Sequence, residues 1–218
     1  MNAANRHRLL VKSRRDGSAL RTLAIIASGW SVQGMLIMDR TERLFKVMLE
    51  CGFLTLVSIP LYFYISNTTL LVILSILTAH TLNFLMNGQL MVALKNVGRT
   101  TCDAQETEEF VNKMLRGVAK KKSISFIAIY GSYAMKDFLS GSDLDVRVIR
   151  RRGLINGIRA CSFTMRIRLL GLRRRFPIDI YLLDNHHSLS THISPQEVET
   201  AVVLYDADNL SEYLALRN

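Results

Sequence analysis

The sequence predicts an α+β protein: a small mixed β-sheet flanked by helices, preceded by an α-helical transmembrane hairpin. Three observations lead there. Of 218 residues, the 44 from Cys51 to Leu94 contain no Asp, Glu, Lys or Arg, and 28 of them are apolar. Beyond Arg99, short apolar, partly β-branched runs alternate with stretches of helical periodicity. Within that second half, acids stand inside strand-like runs, where carboxylates are disfavoured. A hydrophobic fraction of 49% excludes disorder, and 3 Pro with 12 Gly exclude collagen-like and low-complexity classes. Cys51, Cys102 and Cys161 are too few and too scattered for a disulfide framework. With no C-x-x-C among them, a zinc ribbon is excluded and reduced thiols are expected.

The uncharged run has room for two spans of about 20 residues. Ile65-Ser66-Asn67-Thr68-Thr69 divides it, and Asn67 or Thr68 suits a helix N-cap. Helix one is expected from Leu44 to Ile65, kinked at Pro60, and helix two from Thr69 to Met91. A buried core hairpin of a soluble protein is the alternative. Residues 1–46 carry nine Lys/Arg against three acids, and Lys95 and Arg99 follow the second span. Both flanks are basic and the connecting loop is neutral, so the positive-inside rule places both flanks and the following domain in the cytoplasm. Asn67-Thr68-Thr69 matches a glycosylation sequon formally, but it hugs the membrane and is read as a cap. A cleavable signal peptide is not expected, since no small-residue site follows a compact apolar core.

Upstream, Thr22–Met38 is a shorter uncharged stretch diluted by Ser28, Gly29, Ser31, Gln33 and Gly34. An interfacial helix with Trp30 at the headgroups is expected, a third span being the alternative. His80, Asn83 and Asn87 share one face of helix two. They suit interhelical hydrogen bonds, or alternatively a polar groove for a headgroup. Three regions result: 1–43, a basic segment with the interfacial helix; 44–95, the hairpin; and 96–218, the α+β domain.

That domain opens with a helix capped at Thr107, its apolar repeat running Phe110, Val111, Met114, Leu115, Val118 before Lys120–Lys122. Strands are expected at 124–130, 143–149, 178–183 and 202–205. Helices are expected at 154–172 and near 195–200, and His186, His187 and His192 fall in a loop. Gly131-Ser132 ends the first strand. Along a strand, residues i and i+2 point the same way, so Asp143 and Asp145 share a face. Two adjacent carboxylates repel unless a cation lies between them, and oxygen-liganded divalent ions answer that need. Asp179 stands in the middle of the apolar run Ile178–Leu183. If its strand lies beside the acidic one, three carboxylates meet, and a pair of Mg²⁺ ions about 4 Å apart is the natural occupant.

Gly131-Ser132-Tyr133-Ala134 followed by Ser142-Asp143-Leu144-Asp145 resembles the minimal nucleotidyltransferases of the DNA polymerase beta superfamily. Their pattern is a hydrophobic strand, Gly-Ser, a short gap, Asp-hydrophobic-Asp, and a third acid on a later strand. The resemblance spans Thr107 to Tyr205 and leaves out the hairpin. It implies the nucleotidyltransferase fold and transfer of an NMP from an NTP, often ATP, with pyrophosphate leaving. It further implies nucleotide contacts from Gly131, Ser132, Lys136 and Ser142, and Mg²⁺ ligation, two ions, by Asp143, Asp145 and Asp179. Asp179 would also help activate the acceptor hydroxyl. Two positions depart from the pattern: Tyr133 stands where a basic residue is common, and Lys136 stands where glycine is. Lys136 is expected to compensate as a phosphate contact.

From Arg147 to Arg175 the chain holds ten arginines and no lysine. Beside a membrane hairpin, a clamp on anionic lipid headgroups is the expected use. Nucleic acid is a weaker candidate, for want of interleaved aromatics on the basic helix. A domain this small calls for the hairpin, a second copy of the chain (a homo-oligomer) or another protein to complete its site. The competing function is a catalytically silent, membrane-tethered module binding lipid, nucleic acid or a protein partner.

Overall fold

The computed structural model describes residues 19–36, 38–96, 103–118, 122–135, 142–192 and 201–209. In chain order the elements are α1 Ala19–Val32, α2 Arg40–Tyr62, α3 Thr68–Met86, α4 Gln89–Asn96, α5 Ala104–Val118, β1 Ile124–Tyr130, β2 Leu144–Arg150, α6 Leu154–Arg174, β3 Ile178–Leu183, α7 His186–His192 and β4 Val202–Asp206.

Among the described residues, α2 and α3 are long and apolar enough to cross a membrane by length and composition. At about 1.5 Å per residue they measure about 34 and 28 Å, against a hydrocarbon core of about 30 Å. Only 6% of the apolar window of α2 and 22% of that of α3 is buried, which sets them apart from the mostly buried helices of a core. Asn67 caps α3 through its side-chain oxygen, which accepts from the Leu70 amide at 3.0 Å. Helix α2 starts at Arg40, four residues before the expected Leu44, and ends at Tyr62 with Pro60 in its last turn. Helix α3 stops at Met86 instead of running to Met91. Gly88 adopts φ +67, a left-handed turn that breaks the apolar run before α4.

At about 21 Å, α1 is too short to span. Trp30, expected at a membrane surface, turns onto α3: its Nε1 donates to Thr81 Oγ1 at 3.2 Å, and its ring meets His80 edge-on at 4.4 Å. The His80–Asn83–Asn87 face is used for bonds between helices. His80 Nδ1 lies 2.8 Å from Glu50 Oε1, Asn83 Nδ2 donates to the Lys46 carbonyl at 3.3 Å and to Glu50 Oε2, and buried Lys46 donates to the Gln33 carbonyl at 2.8 Å. Asn87 in turn donates to Asn83 Oδ1 at 2.6 Å.

The sheet has the order β3-β2-β1-β4, with β2 and β3 parallel and β1 antiparallel to both its neighbours. A parallel pair needs a crossover of a dozen residues or more, and α6 supplies it. One sheet face carries the main apolar core. Ile127, Ile129, Leu144, Val146, Ile178 and Ile180 form a core with Phe110 and Met114 of α5 and with Ala160 and Phe163 of α6. The opposite face holds a smaller cluster, Phe126, Ala128, Ile149, Leu183 and Leu189.

Several local expectations shift. Helix α5 is capped by Asp103, not Thr107: Asp103 Oδ1 accepts from the Glu106 amide at 2.7 Å while Glu106 reaches back to the Asp103 amide, a reciprocal capping box. Thr107 is one turn inside, buried, and bonded to the Asp103 carbonyl. The stretch bearing His186, His187 and His192 is a helix, α7, where a loop was expected. It is started by Asn185 Oδ1, which accepts from the Ser188 amide. The helix expected near 195–200 lies outside the described residues.

Strand β3 is a sheet edge, yet its outward backbone groups are covered. Glu42 Oε2 accepts from the Leu182 amide at 3.0 Å, Asp39 Oδ2 accepts from the Asp184 amide at 2.7 Å, and Arg168 donates to the Ile180 carbonyl. Arg168 and Glu42 pair at 2.5 Å, with side chains 5% and 1% exposed. Thus the first turn of α2 stands where a fifth strand would pair. Helix α6 runs across the base of the hairpin. A Cβ on Gly157 would meet Thr41 Cγ2 at 2.9 Å, and about three turns further on Arg168 Cβ lies 2.9 Å from where a Cβ of Gly88 would be.

Two outcomes are expected. Arg168→Met leaves the buried Glu42 carboxylate without its guanidinium partner and should cost roughly 3–5 kcal/mol, measured as a loss of thermal stability in the full chain. Burial alone would raise the Asp184 pKa, but hydrogen bonds from Thr41 and the Arg150 guanidinium outweigh it and hold the carboxyl below its ordinary 3.8. A depressed folded pKa gives stability that is complete above the ordinary value and lost as pH falls through the lower one. Melting profiles across the acid limb should therefore flatten in Asp184→Asn.

Candidate functional site

The sheet register decides which polar side chains meet. Asp145 pairs with Asp179 across the parallel β2–β3 ladder and with Tyr130 across the antiparallel β1–β2 ladder. Because Val146 and Ile180 point into the core, Asp145 and Asp179 must point to the opposite face. Asp143 lies one residue before β2 instead of within it, and its side chain still returns to the same place. Ligand oxygens of Asp143, Asp145 and Asp179 all lie within 4.8 Å of one another, each residue half-buried. The three acids singled out in the sequence therefore form one cluster, at the end of the sheet where β1 stops and β2 and β3 begin.

Gly131 makes room for it. Its φ of +71 lies in the left-handed region, and a Cβ there would come 2.6 Å from Asp145 Oδ2. Any other residue would be strained at this bend and would push the carboxylate out of place. Residues 131–135 continue as a turn, with the Met135 amide donating to the Gly131 carbonyl at 3.1 Å. Ser132 is half-buried in that turn, next to the cluster in sequence, and Ser142 is half-buried beside Asp143. Lys136 lies outside the described residues. Tyr133, at the position that departs from the expected pattern, packs against the main core. Burial and then the Glu108 carboxylate raise its pKa.

Two residues beside the acids were not singled out from the sequence in this role. Arg147 and Tyr181 pair across the β2–β3 ladder, one step along the same face from Asp145 and Asp179. The Arg147 guanidinium sits 4.8 Å from the Tyr181 ring centroid and donates to the Asp179 carbonyl at 3.4 Å. Burial and the Asp179 carboxylate raise the Tyr181 pKa, with Arg147 opposing them, so the phenol stays protonated. The i+2 spacing from each acid was the available signal.

The arginines divide in two. Arg147, Arg150, Arg151 and Arg168 are held within the protein, by Tyr181, Asp184, Asp208 and Glu42 respectively. Of the ten arginines expected to form a headgroup clamp, four thus have partners within the chain, the Arg151–Asp208 pair at the surface, while Arg152, Arg159, Arg166 and Arg173–Arg175 are exposed. Cys161 is buried, and burial followed by the Glu42 charge pushes its thiol up to about 12, which rules out a thiolate nucleophile at neutral pH.

The donor set suits a small divalent cation. Mg²⁺ binds oxygen at about 2.0–2.1 Å, so two of its ligands stand at most about 4.2 Å apart, and the acidic cluster needs only a small closure to reach that. No protein-family model matches the chain, and no curated protein and no solved structure matches it either. Function has to be read from the chemistry of the site.

Gly131→Ala should cost about 1–2 kcal/mol from the left-handed backbone alone and more from the displaced Asp145 carboxylate. Comparing its melting temperature with that of Gly52→Ala, where an added Cβ meets nothing within 4 Å, isolates the effect of the bend.

Proposed function

We propose that the chain is a membrane-anchored, metal-dependent nucleotidyltransferase. It moves an NMP from an NTP to a hydroxyl or phosphate of a membrane-proximal acceptor and releases pyrophosphate. The observation that carries this reading is the convergence of Asp143, Asp145 and Asp179 beside the Gly131 bend. Three carboxylates this close are costly unless they bind cations, and each is half-buried instead of sealed in the core.

In this reading Asp143 and Asp145 hold Mg²⁺, two ions with Asp179 as the third ligand. When bound, the metal supplies positive charge against the triphosphate and lowers the pKa of the attacking hydroxyl. The turn from Gly131 presents its amides and the Ser132 hydroxyl to phosphate oxygens, with Ser142 on the other side. Asp179 orients the acceptor hydroxyl and draws on its proton. The acceptor oxygen then bonds to the α-phosphorus as the bond from that phosphorus to the bridging oxygen breaks, and pyrophosphate carries off the electron pair. Arg147 contributes a fixed countercharge along the same face.

The anchor follows from α2 and α3. Their exposed apolar surfaces, basic flanks and the exposed cluster Tyr62, Phe63 and Tyr64 at the far end support a hairpin crossing the membrane with the sheet on the cytoplasmic side. The exposed arginines favour anionic lipid as a neighbour over nucleic acid. A silent tethered binding module is the second reading, supported by that same basic surface.

Asp143→Asn combined with Asp145→Asn should abolish Mg²⁺-dependent retention of labelled NTP. Asp179→Asn should retain nucleotide and lower transfer to acceptors in membrane extract by about 10²–10⁴-fold. Unchanged Mg²⁺ and nucleotide affinity in the double variant would reject the enzyme in favour of the binding module.

A further inference from the structure

A cavity of about 330 Å³ opens between the start of α2 and the first two turns of α6, lined by Leu44, Phe45, Met48, Leu154 and Ile158 with Arg150 at its side. The contact of Gly157 with Thr41 holds the two helices together below it. Its rim is unusually apolar for a protein surface: Leu154 is 81% exposed, Met48 64% and Leu44 55%, with Ile155 exposed next to them. The pocket is large enough for a slender apolar ligand.

Its surroundings identify the occupant. Helix α6 contains no Asp or Glu at all. Its outward face sets Ile155 and Ile158 beside Arg159, Arg166 and Arg173, which recur every seven residues and so form one stripe. Apolar side chains next to arginines, without acids, are the pattern of a helix lying at a lipid interface. Height agrees with this. From the aromatic cluster at Tyr62 down α2 to Leu44 is about 27 Å, and Arg40 lies one turn further on the same stripe as Leu44 and Met48. One hydrocarbon thickness therefore separates the aromatic end from the groove, and Arg40 falls at headgroup level. Exposed Arg152 directly precedes Gly153, which lines the cavity, as Arg40 directly precedes lining Thr41.

We infer that this groove seats an acyl chain of an anionic phospholipid of the bilayer, whose phosphate is held between Arg40 and Arg152. The inference rests on the membrane anchoring proposed above, though not on the transferase activity. Exposed Ile59 lies on the same side of α2 as Leu44 and Met48, so a chain reaches the groove along the lipid-facing side of the hairpin. A fivefold change in groove occupancy corresponds to about 1 kcal/mol. Because α6 also carries the crossover to β3, a lipid in this groove sits against the helix that delivers Asp179 to its strand.

The test uses the full chain in bilayer nanodiscs containing phosphatidylglycerol with a photoreactive group in its acyl chain, adducts being located by mass spectrometry. Adducts are expected at 44–48 and 154–158 as well as on the hairpin at 56–77. Arg40→Gln and Arg152→Gln should each lower the groove adducts about fivefold and leave hairpin adducts unchanged. A phosphatidylcholine probe should label the groove less and the hairpin equally. Hairpin adducts with none at 154–158 would overturn the lipid groove while leaving the membrane anchor standing. Groove adducts that are indifferent to headgroup and to both arginines would overturn the phosphate assignment. Absence of adducts everywhere would overturn the anchor itself.

Discussion

The Glu42–Arg168 ion pair is the constraint on which the rest depends. Both groups are withdrawn from water, and a buried pair is tolerated only when its remaining donors and acceptors are also matched. Here Glu42 also takes the Leu182 amide and Arg168 also gives to the Ile180 carbonyl. The pair therefore does more than neutralise itself. It closes the open edge of β3 and ties that strand to the first turn of α2. Asp39 and Asp184 extend the same seam by one more pair of residues. The acidic cluster thus stands on a strand whose outer edge is gripped by the hairpin.

On the inner side of that strand the register does the remaining work. The parallel pairing of β2 with β3 aligns Asp145 with Asp179, and the burial of Leu144, Val146, Ile178 and Ile180 leaves no freedom to slip by one residue without turning apolar side chains outward. Electrostatic repulsion among the carboxylates is thus imposed by hydrophobic packing of their neighbours. Arg147 offsets part of it from one step along the sheet. The left-handed bend at Gly131 gives Asp145 the space that any side chain would occupy.

The two halves of the molecule meet at a polar seam. Around the base of the hairpin, Gln33, Lys46, Glu50, His80 and Asn83 bond to one another, and α6 crosses immediately below. Polar groups placed there hold α2, α3 and the turn after α1 in one arrangement, since the bonds run between these elements. The proposed lipid groove opens at this junction, so membrane surface and sheet share α6 as a common wall.

By itself the sequence determined the pieces. The charge-free run, the Asn67 cap, the strand at Ile178–Leu183 and the identity of the three acids were all legible, because each depends on local periodicity, local capping or the chemistry of one residue type. Helix ends were less so: Gly88 ends α3 inside the charge-free run, and Asp103 displaced Thr107 because reciprocal capping with Glu106 outcompetes a lone hydroxyl. Tertiary structure alone decided that Glu42 would find Arg168, that Trp30 would turn inward onto His80, and that four arginines of a basic stretch would be spent on internal partners. Those pairings join residues far apart in the chain, and no pattern within either segment encodes the other. They arise only when the sheet edge, the hairpin and α6 are brought together and each buried charge must find its complement.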